Sequence, residues 1–163
     1  MLLAEALIYR KELKAQLDYT GKRLTLVAVV REGKQPVEDP VSLLTQFDGQ
    51  LAEYKALITA IHKTNLVAQV ADGQSVTEAI VMRDMLDERI ALLRKIDESV
   101  TERTTRERAS MYCSEKPEVP FVPAVNVGDL RKEVAALAKQ RRLLDVQIQR
   151  ANWSHEIVEV IEG

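Results

Sequence analysis

The sequence predicts a mainly α fold: four long helices forming an antiparallel bundle or a pair of coiled-coil hairpins, with a small β-hairpin or extended segment near 69–76 and 117–127. Three observations predict it. Apolar residues return at alternating steps of three and four, the period of a helix packed lengthwise on another. Breakers are scarce, six Gly and five Pro in 163 residues, and several of them punctuate the gaps between the apolar stripes. Hydrophobic residues make up 46% of the chain and aromatics only 4%, so the core must be built from Leu, Ile, Val and Ala. A chain of this length fits one domain, 1–163, able to bury a core without disulfides or metal.

The first helix is expected over about 2–31. Leu3, Ala6, Leu13, Leu17, Leu24 and Val27 form its stripe, with Arg10 and Thr20 on the same seam. The β-branched run Leu24–Val30 weakens its end, and Gly33 and Pro36 then break the chain. Asp39 as a cap and Pro40 at the first helical position start the second helix, 40–68. Its stripe is the clearest: Leu44, Phe47, Leu51, Tyr54, Ile58, Ile61, Asn65 and Ala68. So short a connection favours an antiparallel neighbour.

Asp72-Gly73 is a strong turn dipeptide, and the residues flanking it suggest a miniature hairpin or a loop. Ser75 and Glu78 make a capping box for a third helix, about 76–105, with Ala79, Met82, Leu86, Ile90, Leu93, Ile96 and Val100 on one face. Residues 109–126 form a proline-rich, irregular connection, because Pro117, Pro120 and Pro123 push the residues before them into extended backbone. Asn126 can cap the fourth helix, about 127–152, whose stripe is Leu130, Val134, Leu137, Leu144, Ile148 and Ala151, interrupted by Arg141.

The formal net charge of −2 gives no drive toward nucleic acid or an anionic membrane. A lone cysteine, Cys113, forms no internal disulfide and points to a reducing compartment. The N-terminal apolar run contains Glu5 and follows no basic segment, unlike a signal peptide. No apolar run is long enough to span a bilayer. A cytoplasmic location is therefore expected, with no nucleic-acid partner, no membrane span and no cofactor.

Several stretches resemble the septicolysin-like family of small bacterial proteins. They are LAEALIYRKEL, EGKQPVEDP, IHKTN, ADGQSVTEAIVMRDML with RIALLRK, and NVGDLRKEVAALAK with IQRANW. Together they cover most of the chain in order. The segment RTTRERASMYCSEKPEVPFVPA departs from the pattern, being longer and richer in proline. The resemblance implies a helical, coiled-coil-rich fold, and the family's name implies membrane lysis. It carries over no catalytic residue.

Candidate functional residues are those that break the pattern. Arg10, Arg83 and Arg141 each interrupt an apolar stripe. Arg83-Asp84 is the first ligand-binding candidate, since a guanidinium fork binds carboxylate or phosphate bidentately; the structural alternative is a pair with a nearby carboxylate. Asn65, at a seam position, either fixes register through a buried hydrogen bond or caps the helix end. Asn152 and Trp153, the latter the sole tryptophan, are interface candidates, closing the bundle end or inserting into a second subunit. His62 and His155 stand in no metal-binding spacing, so no metal ligands are assigned. Glu53, Asp84, Asp87 and Glu88 read as a solvated face, and the arginines and lysines of the fourth helix as a modest basic one. The overlapping PxxP units at 117–123 read as a spacer, and Cys113 as inert.

No convergent catalytic set emerges. The reading is a non-enzymatic, self-associating helical protein, a homo-oligomer. The alternatives are a membrane-active, cytolysin-like protein and a small-ligand or metal-dependent enzyme with its site near Arg83 and Asp84, where Asn65, the third ligand-binding candidate, and Asn152 would have to converge.

Overall fold

The structure, a computed structural model, describes residues 1–110 and 122–158, and the side chains among them except at 107–110. It is mainly α, with four helices: α1 Leu3–Val27, α2 Pro40–Val67, α3 Val76–Ser110 and α4 Val127–Ser154. The local signals at the starts of α2 and α4 hold. Asp39 accepts hydrogen bonds from the backbone of Val41 and Ser42 at 3.2 and 3.1 Å, with Pro40 at the first helical position. Asn126 does the same for Gly128 and Asp129 at 3.0 and 3.2 Å. Leu2 has no side chain able to cap α1, and Glu5 instead accepts from the Leu2 backbone at 2.8 Å.

The hairpin expected at 69–76 is corrected. No β-strand occurs among the described residues; Gln69 and Ser75 form one isolated antiparallel bridge, with Val70 N–H donating to Gln74 O at 2.9 Å. Asp72-Gly73 does turn the chain, with Gly73 in the left-handed region at φ 78°. Helix α2 runs to Val67 and α3 starts at Val76, which leaves no length for a ladder. Of the extended segment expected over 117–127, residues 122–126 form no strand and the part through 121 lies outside the described residues, as does Cys113.

Helix ends move as well. α1 stops at Val27 instead of near 31, where β-branched residues accumulate and Thr25 turns its hydroxyl onto the Lys22 carbonyl. α3 runs past 105 to Ser110, because its charged end is helix-compatible and carries an i,i+4 ion pair from Arg106 to Glu102 at 2.6 Å.

The chain forms two compact units, Met1–Thr77 with Gln149–Gly163, and Glu78–Ile148. In the first, α1 and α2 pair antiparallel: Tyr9 near one end donates its hydroxyl to Glu53, and Arg23 near the other donates to Glu38 at 3.0 Å. Leu3, Ala6 and Leu13 meet Leu57 and Ile61 in the core, with Leu7, Tyr9, Tyr54 and Ile157 packed on it. The seam on α2 differs from the expected stripe at every second position. Leu44 and Leu51 are 49% and 47% exposed, whereas Leu43, Leu57 and Thr64 are buried and Gln50 is half-buried. Two columns of seven-residue spacing, 43/50/57/64 and 44/51/58/65, flank the shared column 47/54/61/68, and the seam uses the first. Leu43–Leu44 and Leu57–Ile58 are both apolar pairs, so periodicity alone does not choose between them.

In the second unit, α3 and α4 also run antiparallel. Arg83 of α3 faces Asp145 of α4 at 3.7 Å, Arg141 donates to Asp87 at 3.1 Å, and Arg131 to Asp97 at 2.9 and 2.8 Å. Partners thus descend α4 as they ascend α3. Leu86, Ile90, Leu130 and Ile148 are the buried large aliphatic residues described in this unit.

Candidate functional site

The first unit holds a cleft of about 400 Å³ lined by Ala4, Leu7, Ile8 and Lys11 of α1 and by Gln149, Asn152 and Trp153 of α4. The α1 residues sit at i, i+3, i+4 and i+7, one face of a helix; the α4 residues repeat the first three of those steps. Backbone pairing brings the two faces together. Leu3 N–H donates to the His155 carbonyl at 2.8 Å, Ile157 N–H to the Met1 carbonyl at 3.0 Å, and Leu2 and Glu156 bridge antiparallel. Thr64 continues the anchoring: its hydroxyl donates to Ala60 O at 2.8 Å and accepts from Val158 N–H at 2.9 Å.

Within the cleft Trp153 is 54% exposed, although it is the chain's sole indole. Asn152 is the reverse, 6% exposed, while the one buried side-chain atom left without a hydrogen-bond partner among the described residues is Gln50 Oε1, on α2. Lys11 is exposed and makes no ion pair with a described residue, and no carboxylate lines the cleft. Asn152 and Trp153, which the sequence offered as interface candidates, both line this cleft. Lys11, Ile8 and Gln149 carried no signal of their own beyond helical spacing.

The remaining candidates lie elsewhere. Arg83 and Asp84 belong to the second unit. Arg83 directs two guanidinium nitrogens to Asp84 at 3.1 and 2.9 Å and a third toward Asp145. Arg141 reaches Asp87 and, at 4.0 Å, Asp145. These two arginines and three aspartates form an ion-pair network along the helix pair with one carboxylate in excess, and with no Ser, Cys or His among them. Arg131 holds the Asp97 carboxyl below the usual range, chiefly through its hydrogen bonds, while Arg89 pairs with Glu133 at 2.9 Å. Of the basic residues of α4, Arg131 and Arg141 thus reach carboxylates of α3, while Lys132 pairs with Asp129 on its own helix. Asn65 is half-buried in the last turns of α2, beside Thr64, which makes the buried contacts. His155 places Nδ1 3.0 Å from the Ala151 carbonyl at the end of α4. Among the described residues no three His, Cys, Asp or Glu side chains gather to hold a metal, and no helix is long and apolar enough to cross a membrane.

Residues 10–157 match the model of a family of unknown function, DUF6847. No curated protein matches significantly. The structure is similar to the crystal structure of a functionally unknown conserved protein from Corynebacterium diphtheriae, at 32% identity and a TM-score of 0.81, over 97% of this chain and 99% of the other.

Proposed function

Starting from the chain's membership of DUF6847, a family of unknown function, we propose that it is a non-enzymatic helical protein that self-associates and works as a cytoplasmic homo-oligomer. The carrying observation is the column on α2 that the intramolecular seam leaves out. Leu44 and Leu51 stand half-exposed, with Val41 more exposed a turn earlier. Asp48 and Lys55 complete this face at helical spacing, roughly a third of a turn from the seam with α1. Neither makes an ion pair with a described residue.

Residues in that pattern suit a two-fold antiparallel pairing with a second copy. A crossing between Leu51 and Ala52 sets Asp48 against the partner's Lys55 twice over, and brings the two copies of Leu51 next to each other beside the axis. The resemblance to the septicolysin-like family supports the coiled-coil part of this proposal.

Light scattering behind a sizing column, at two concentrations, tests it. The expected mass is a discrete multiple of 18.4 kDa, which Leu44→Glu with Leu51→Glu reduces to one chain. Asp48→Lys weakens the assembly, and adding Lys55→Asp restores it. A monomer at every concentration rejects the proposal.

A further inference from the structure

Resting on the reading of α2 as the face between copies, we infer that α2 is poised to roll about its own axis between two seams against α1. The roll regulates self-association by covering or uncovering Leu44 and Leu51.

The seam in place is the less apolar of the two that α2 offers. Column 43/50/57/64 reads Leu, Gln, Leu, Thr, whereas 44/51/58/65 reads Leu, Leu, Ile, Asn. Gln50 Oε1 is closed off from water and is the one buried side-chain atom among the described residues without a hydrogen-bond partner. An acceptor left that way loses its hydration with nothing in return. Leu44 and Leu51 meanwhile stay about half-exposed. Both seams share the column 47/54/61/68, so exchanging one outer column for the other takes a roll of only about 50°, half the 100° between successive helical residues. The roll buries Leu44 and Leu51, uncovers Leu43 and Leu57 in their place, and returns the Gln50 amide to water. Two bonds oppose it, both on the side of α2 that turns away: Tyr9 donating to Glu53, and Val158 N–H donating to Thr64. Two packings of similar apolar content, separated by a few side-chain bonds, make a bistable element. A second copy seated on Leu44 and Leu51 selects the unrolled seam, and only the unrolled fraction of free chains can pair.

Residue 50 lies on the α1 side of α2, away from the second copy, so Gln50→Leu separates the roll from direct contact. The variant should raise the Tm and tighten self-association about tenfold, read as Kd by light scattering over a dilution series. Thr64→Val loses a bond made only in the unrolled seam and loosens self-association. The seam itself is read by iodoacetamide labelling of Leu57→Cys in a Cys113→Ser background. The thiol is protected in the assembled protein and labels rapidly after dilution below the Kd. It stays protected in dilute chains that also carry Leu44→Glu and Leu51→Glu, whose charges cannot enter the seam. A Kd unmoved by Gln50→Leu, or equal labelling of the two dilute chains, overturns the roll and leaves self-association standing. A single-chain mass at every concentration rejects both. Should Leu57→Cys not fold, the Kd of Gln50→Leu decides alone.

Discussion

Both units pair two helices antiparallel, yet different forces hold each pair. In the first, the contact is mainly an apolar interior: Leu3, Ala6 and Leu13 against Leu57 and Ile61, with Thr20 and Thr64 buried beside them. In the second, a few buried Leu and Ile accompany the ion pairs Arg83–Asp145, Arg141–Asp87, Arg89–Glu133 and Arg131–Asp97 that join the helices. Fully burying one large aliphatic side chain stabilises by about 1.5–3 kcal/mol, whereas exposed ion pairs contribute about 0–1. The charges therefore do more to choose the register and direction of α3 against α4 than to hold the two together. The first pair is held by what it hides, the second is aligned by what it shows.

The sharpest way to break this contrast is at Leu13, which is 1% exposed. Leu13→Ala should destabilise the first unit by about 2–5 kcal/mol in urea unfolding, because the cavity adds to the lost transfer energy. Arg131→Met should change the urea midpoint far less. Equal shifts would mean that the charged edges carry as much stability as the apolar seam.

Thr64→Val comes next. It keeps the shape but removes the acceptor for Val158 N–H, costing about 1 kcal/mol. Hydrogen exchange should show the amides of Leu3, Ile157 and Val158 opening before the core of α2. Unchanged exchange there would mean that the backbone pairing alone holds the segment.

The smallest effect, and the one that separates the units most cleanly, is the response to pH. Asp97 titrates below its ordinary value of 3.8, first because of its hydrogen bonds with Arg131. A depressed carboxylate contributes stability that is present above the unfolded value and lost as pH falls through the folded one. Tyr9 is displaced the other way, above 10.0, first by its hydrogen bond to Glu53. Its contribution is present below 10.0 and lost as pH rises through the raised value. Acid should therefore loosen the α3/α4 edge and strong base the α1/α2 edge, each by a small amount visible in amide exchange. Arg131→Met should remove the acid-side loss at Asp97. Loosening of both edges at the same end of the scale would undo the comparison. Added salt at about 1 M, where screening acts within about 3 Å, should shrink the acid effect.

Starts of helices were legible because their causes are local: Asp39 with Pro40, and Asn126, act on amides two or three residues away. The end of α1 was harder, since a β-branched run only weakens a helix and the stopping point depends on competing bonds such as Thr25 to Lys22 O. The register of α2 failed at alternate positions for a different reason. Leu43 and Leu44 are the same residue, and only the partner helix decides which one is covered. Arg83 and Arg141 stood out as interruptions, but Asp145 and Asp87 reach them across the helix pair, beyond any local pattern. Asn152 and Trp153 drew attention by rarity and position. Their companions Ile8 and Lys11 did not, because the bond from Leu3 to His155 that brings the two faces together joins opposite ends of the sequence.

That bond also bears on the order in which the fold is assembled. The first unit takes its two halves from either side of the second, so the ribosome must deliver all of Glu78–Ile148 before residues 155–157 can meet Met1 and Leu3. Until then α1 and α2 form a local hairpin whose cleft lacks a wall. The interval is a wait for long-range closure, the slow step in building contacts between distant parts of a chain. Ala4 and Leu7 stay uncovered on that side while it lasts, next to an Ile8 that is half-exposed even in the finished fold, so early release of the nascent chain would leave an apolar helix face open to aggregation.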